Sequence, residues 1–137
     1  MKITAHTDGA SRGNPGESGI GVIMRSAEGI VLYAGGGYIG TTTNNVAEYS
    51  ALIFCLRKAV EMGCSDLVVL SDSELMVRQI NGAYRVKDAH LKELFEEVKQ
   101  LVGRAKFPFT IRHIDRGQNR EADLLANGGI DSKSPPR

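Results

Sequence analysis

The sequence predicts an α/β domain built on a five-stranded mixed sheet. Three observations carry that reading. Residues 2–8, KITAHTD, alternate polar and apolar with period two, and two further strand-like runs follow before residue 40. A single run, DLVVLSD at 66–72, is apolar on both faces. Downstream of Asn44 the strand-like segments are separated by segments with helical apolar spacing.

Taken in order, KITAHTD at 2–8, GIGVIMRS at 19–26 and GIVLYAGGGYI at 29–39 read as three strands, and their short connections make an antiparallel meander. From Asn44 to Met62 the residues Leu52, Cys55, Leu56, Ala59 and Val60 recur at helical spacing, and Met62-Gly63 supplies a stop. DLVVLSD then suits a central parallel strand covered on both faces. SELMVRQIN at 73–81 is a short helix ended by Gly82, and AHLKELFEEVKQLVGR at 89–104 is a longer amphipathic one. KFPFTIRHID at 106–115 reads as the fifth strand and residues 119–127 as the last helix. The strands after the meander need right-handed crossovers to join the sheet, which places helices on both faces. Residues 1–130 form a single domain, with DSKSPPR at 131–137 expected as a flexible tail.

Composition narrows the function classes. With 42% hydrophobic and 24% charged residues the chain is globular, and no apolar run reaches the roughly 18 residues of a membrane span. MKITAHTD lacks the apolar core of a secretory signal, which points to the cytoplasm. Two cysteines, Cys55 and Cys64, make neither a zinc knuckle nor a disulfide framework. A net charge of +1 gives no global attraction for nucleic acid, so any such binding needs a local basic patch.

The acids carry the chemistry. Asp8 is expected to end the first strand and Asp72 the fourth, each after a hydroxyl residue and before a polar or glycine-rich turn. If those strands are parallel neighbours, both carboxylates lie in one crevice at the carboxyl end of the sheet. Two such groups repel unless a cation sits between them. Glu48 falls on the stripe Glu48, Leu52, Cys55, Ala59 that faces the sheet, and a carboxylate there needs a partner. Asp123 lies on or beside the apolar face of the last helix. Four oxygen ligands with no Cys fit a hard cation, Mg²⁺ or Mn²⁺, and two such ions suit phosphodiester hydrolysis. The plainer alternative treats each acid separately, as turn former, helix-start residue or solvated edge.

TDGASRGNPG at 7–16, TTTNNVAEYSAL at 41–52, LSDSELMVRQING at 70–82 and RGQNREADLLAN at 116–127, in this order, resemble the motifs of the type 1 ribonuclease H family. The resemblance spans Thr7 to Asn127 and implies a ribonuclease H-like fold. It implies an endonuclease that hydrolyses the RNA strand of RNA–DNA hybrids with two divalent ions, leaving 5′-phosphate and 3′-hydroxyl ends. Asp8, Glu48, Asp72 and Asp123 take the places of the family's metal ligands. Ser11, Gly13 and Asn14 match the loop that contacts ribose 2′-hydroxyls, and Thr43, Asn44 and Asn45 match further hybrid contacts, with Asn14 among them. Glu74 stands where many members have Gln, placing a negative charge near the substrate backbone. His113 is ten residues before Asp123, the spacing of the family's mobile histidine, yet strand periodicity puts it inside TIRHID. If it is a strand residue, Arg116 is the group that could reach the scissile phosphate. Only seven residues, GAYRVKD, separate Asn81 from the helix at Ala89, so the tryptophan- and lysine-rich protrusion of the best-known bacterial form is missing. That departure predicts weaker hybrid affinity and keeps open a catalytically weak, hybrid- or RNA-binding module. No protein partner is implied, and a monomer is expected.

Overall fold

The computed structural model describes residues 1–137 as one five-stranded sheet in the order β3-β2-β1-β4-β5. The strands are β1 (Lys2–Gly13), β2 (Gly16–Ser26), β3 (Val31–Thr42), β4 (Asp66–Ser71) and β5 (Phe109–His113). The helices are α1 (Asn44–Glu61), α2 (Glu74–Ile80), α3 (Ala89–Arg104) and α4 (Arg120–Ser132), with a 3₁₀ turn over Arg116–Gln118. β1–β2 and β2–β3 pair antiparallel, whereas β1–β4 and β4–β5 pair parallel. The predicted mixed sheet is therefore present, with β1 at the point where pairing changes direction.

The pleat divides β1 between two layers. Ile3 and Ala5 point into a core shared with Leu67 and Val69 of β4 and with Leu52, Cys55, Leu56 and Ala59 of α1, all buried. α3 packs outside α1 and contributes Leu91 and Val98. The opposite face, carrying Asp8, is covered by α4, which lies over β2, β3 and β1. β4 is less enclosed than its sequence suggests. Leu67 and Val69 are buried, but Val68 and Leu70 are only half-buried because α4 crosses the other three strands.

Several boundaries differ from expectation, and β2 (from Gly16, not 19) and β3 (31–42, not 29–39) are among them. β1 does not end at Asp8: it continues to Gly13 as a hairpin with β2, turning through Asn14 and Pro15, whose peptide bond is cis. Glycine and proline suggest a loop locally, but here Gly13 pairs with Gly16 across a two-residue turn. β5 covers Phe109–His113 and not the whole of 106–115. The last helix does not stop at Asn127 either. Gly128 and Gly129 read as breakers, yet a Cβ at Gly129 would lie 2.6 Å from the Gly37 backbone, so close docking on β3 fixes the helix through Ser132. DSKSPPR, expected as a flexible tail, begins inside this helix and continues along the β3 edge. Lys133, at φ 55°, ends the helix, and the Ser134 carbonyl accepts the Tyr38 N–H of the β3 edge at 2.7 Å. The Tyr33 hydroxyl donates to the Arg137 carbonyl.

Candidate active site

The parallel ladder between β1 and β4 ends at the pair Thr7–Ser71, both fully buried. Beyond it β1 runs on beside β2 alone, while β4 turns through Asp72 and Ser73 into α2, whose first turn is capped by the Ser73 hydroxyl accepting the Met76 N–H at 3.3 Å. The two strands part there, and Asp8 and Asp72 stand at the opening. Asp72 thus lies one residue past its strand as expected, and Asp8 reaches the same crevice from mid-strand.

Glu48 arrives from α1. Its helix starts close against β1: a Cβ on Gly9 would sit 2.2 Å from the Ala47 backbone carbon, so only glycine allows this approach. The Gly9 N–H donates to Glu48 Oε1 at 2.6 Å, which partly compensates a carboxylate that is 4% exposed. Carboxylate oxygens of Asp8, Glu48 and Asp72 all lie within 4.8 Å of one another. The fourth acid depends on α4. Gly21 is paired with Asp8 across the ladder, and a Cβ there would lie 2.1 Å from the Ala122 carbonyl. The bare backbone at Gly21 lets α4 settle on the sheet and carries Asp123 to the rim of the same cleft, against Asp8. Asn127, one helical turn on, donates to the Asp123 side chain at 3.3 Å, and the Arg12 guanidinium donates to Asn127 Oδ1 at 3.2 Å. Sequence reasoning overlooked these supporting residues, although the four-residue spacing of Asp123 and Asn127 is a helical-neighbour signal.

The electrostatics follow from burial. Desolvation raises the pKa of Asp8, and the charges of Glu48 and Asp72 and a hydrogen bond with Asp123 push it further up. Glu48 is also raised, by burial first and by Asp72, against the lowering effect of the Gly9 N–H and the Arg116 charge. Clustered, partly buried oxygens with no thiol or imidazole among them could hold a hard divalent cation, and the cost of ionising them together is what such an ion would relieve.

The remaining sequence-predicted residues divide by position. Ser11, Asn44 and Arg116 line the acid cleft, which has a volume of about 220 Å³. The Ser11 hydroxyl donates to the Thr42 carbonyl at 3.0 Å. Asn14, Thr43 and Asn45 line an adjoining groove with Asp88, His90 and Leu91 of the α3 start. Thr43 is the N-cap of α1, accepting the Val46 N–H, and Asn14 Oδ1 accepts the Asn44 N–H at 3.1 Å. Gly13 sits at φ 105° in the hairpin turn. His113 is the exposed last residue of β5, opposite Ser71, and does not line the cleft. Glu74 lies outside the cleft lining in the first turn of α2, 3.7 Å from Arg78.

A family model described as reverse transcriptase-like matches residues 6–129. The chain is 38% identical over 130 residues to a ribonuclease HI of Halobacterium salinarum, covering 95% of this chain and 65% of that protein. It belongs to the ribonuclease H family. The crystal structure of the ribonuclease H1 from that archaeon superposes with a TM-score of 0.92, covering 96% of this chain and 99% of that one. A second solved ribonuclease H1, LC11-RNase H1 in complex with an RNA/DNA hybrid, is 42% identical with a TM-score of 0.91, covering 95% and 97%. A bifunctional protein of Mycobacterium tuberculosis is 38% identical over 133 residues, but this chain spans only 36% of it. The chain thus covers less than two thirds of the length of both of these curated relatives.

Proposed function

We propose that the chain is a ribonuclease H: an endonuclease that hydrolyses the RNA strand of RNA–DNA hybrids and leaves 5′-phosphate and 3′-hydroxyl ends. The observation that carries the reading is the convergence of Asp8, Glu48 and Asp72 at the splayed ends of β1 and β4, with Asp123 at the rim. In this reading the four carboxylates hold a pair of Mg²⁺ or Mn²⁺ ions, which when bound supply an activated water and charge stabilisation at the leaving 3′-oxygen. The chain's own residues do the rest. Gly9 orients Glu48, while Asn127, steadied by Arg12, orients Asp123. The Arg116 guanidinium, in the cleft where His113 is absent, faces the scissile phosphate and favours its developing negative charge. Backbone groups of Ser11, Gly13 and Asn14 address the ribose 2′-hydroxyls, the feature by which RNA differs from DNA. Thr43, Asn44 and Asn45 hold the hybrid beside them. The groove between hairpin and α3 continues the cleft on that side. No helix is long and apolar enough to cross a membrane, and we take the protein to act as a cytoplasmic monomer.

The deciding experiment labels each strand of a hybrid in turn and follows cleavage in Mg²⁺, Mn²⁺ and EDTA. Cleavage of the RNA strand alone, dependent on metal and lost in Asp72→Asn, is the expected result. Wild-type rates from Asp72→Asn would overturn the mechanism. Hybrid binding without turnover after metal is restored would favour a binding module instead.

A further inference from the structure

The tip of the β1–β2 hairpin is tied to the middle of α4 by one residue, Arg12. Past the Thr7–Ser71 pair β1 has β2 as its one strand neighbour, and successive residues of the tip point to opposite faces. Ser11 lines the acid cleft. Arg12, the next residue, meets α4: Nη1 lies 2.7 Å from Asp131 Oδ1, and Nη2 donates to Asn127 Oδ1 at 3.2 Å and to the Asn127 carbonyl at 3.4 Å. Asp123, Asn127 and Asp131 are four residues apart and so share one stripe of the helix. The guanidinium spans the last two, and Asn127 continues to the first.

A carboxamide has a donor end and an acceptor end, and which of them meets Asp123 depends on its neighbours. A guanidinium can only donate, so Arg12 takes the amide oxygen. The Asn127 Nδ2 then donates to the Asp123 carbonyl at 3.0 Å and to Asp123 Oδ1 at 3.3 Å. With the amide reversed, its oxygen would face the Asp123 carboxylate and repel it. Without Arg12 the amide is held from one end alone. A solvated ion pair explains the Arg12–Asp131 contact, since the two side chains are 45% and 66% exposed and such pairs add little to stability. It does not explain the second arm of the fork, which ends on a neutral amide whose other end holds a candidate metal ligand.

We infer that Arg12 couples the reading of ribose 2′-hydroxyls at the hairpin to the placement of Asp123, so that an RNA strand is selected at the turnover step and not in binding alone. This rests on the hybrid-cleavage reading. Ser11 and Arg12 are consecutive residues of β1, so a ribose that seats the tip against the cleft seats the guanidinium with it. Asn127 passes that position on to Asp123. How the Asp123 carboxylate stands to Asp8, Glu48 and Asp72 then decides how well four acids share a hard cation. A strand without the 2′-hydroxyl leaves the tip, and Asp123 with it, unseated. Arg12 is thus a positioning residue that acts through Asn127.

The test is steady-state cleavage in Mg²⁺ of two labelled strands, each paired with DNA: a chimeric strand holding one short ribonucleotide stretch, and the same strand with a 2′-deoxynucleotide next to the cleaved bond. Wild type is expected to lose kcat on the second. Arg12→Met, which keeps an unbranched stem without donors, should lower kcat on the first about tenfold, with KM changed by no more than about twofold. On the second strand it should lose little more, because the coupling is already gone and the two losses do not multiply. Arg12→Lys should recover part of the kcat. Without hybrid, the Mg²⁺ concentration that gives half of the rise in Tm should be severalfold higher in Arg12→Met than in wild type. Glu17→Gln breaks the other tie between hairpin and α4, the ion pair with Lys133, and should move none of these. Losses that multiply, a loss confined to KM, a wild-type kcat in Arg12→Met or an equal loss in Glu17→Gln would each overturn the inference while leaving the nuclease reading intact. If wild type cleaved neither strand, both readings would fall together. Thermal melting without metal checks each fold, and Arg12→Leu replaces Arg12→Met if that variant melts early.

Discussion

Glu48 illustrates how a carboxylate can occupy a core stripe: one N–H, from Gly9, answers one oxygen, and the remaining negative potential is of the kind a cation could offset. Asp8 carries the larger burden, since burial, Glu48, Asp72 and Asp123 all raise its pKa. A folded pKa above the unfolded value means that the folded chain keeps a proton which the unfolded chain releases. This contribution is fully favourable below about pH 4, the unfolded carboxylate value, and is lost as pH climbs toward the raised folded pKa. The metal-free protein should accordingly lose stability between pH 4.5 and 8 relative to Asp8→Asn. The variant should be more stable by roughly 1–3 kcal/mol at the upper end. Thermal melts of both proteins in EDTA across that range check this, and a difference that does not widen with pH would contradict it. Mg²⁺ should raise the Tm of wild type and leave that of Asp8→Asn nearly unmoved. Arg116→Ala, altering an exposed cleft residue, should lower kcat by on the order of tenfold to a hundredfold with the melting temperature unchanged, whereas His113→Ala should cleave at nearly the wild-type rate.

At the scale of elements, the site depends on how closely two helices approach the sheet. α4 reaches it over glycine, and a methyl group at Gly21 has no room against the Ala122 carbonyl. Gly21→Ala should shift α4 outward, cost about 1–3 kcal/mol in denaturant melts, and lower kcat by on the order of a hundredfold by displacing Asp123. An unchanged kcat would show that Asp123 is placed by something other than α4 docking. The buried pair Tyr49–Gln79 links α1 to α2 and then to the α2–α3 loop. Tyr49→Phe removes the hydroxyl and leaves Gln79 Oε1 short of a partner, a loss of about 1–3 kcal/mol in the same measurement. The limits of sequence reading lie at this scale too. Alternation revealed the meander but placed the end of β1 at Asp8, because glycines are punctuation locally whereas hairpin pairing is a long-range event. Likewise the helix expected over 119–127 runs on through Gly128 and Gly129 to Ser132, because helix–sheet packing outweighs the weak helix propensity of glycine.

The whole molecule joins two kinds of sheet at β1. Antiparallel pairing on one side lets β1 run past the end of β4, and parallel pairing on the other side stops at Thr7–Ser71; the cleft is the consequence of that mismatch in length. The far edge of the sheet is closed by the chain's last residues, where Ser134 pairs with Tyr38 and Lys133 lies 4.5 Å from the centre of the Tyr38 ring. Removing residues 133–137 should reduce stability by about 1–2 kcal/mol through the lost edge pairing while leaving kcat intact, measured by melting and hybrid cleavage together.

By itself the sequence determined the element types and the mixed character of the sheet, and it singled out the four acids that meet at one cleft. These rest on periodicity and on four ordered motifs, which are local properties of the chain. Tertiary structure alone decided that Asp8 enters the cleft from mid-strand, that Arg116 lines the cleft and His113 does not, and that Asn127 and Arg12 steady Asp123. Those outcomes depend on strand register and on how near a helix backbone can come to a glycine, and both are fixed only when distant segments meet.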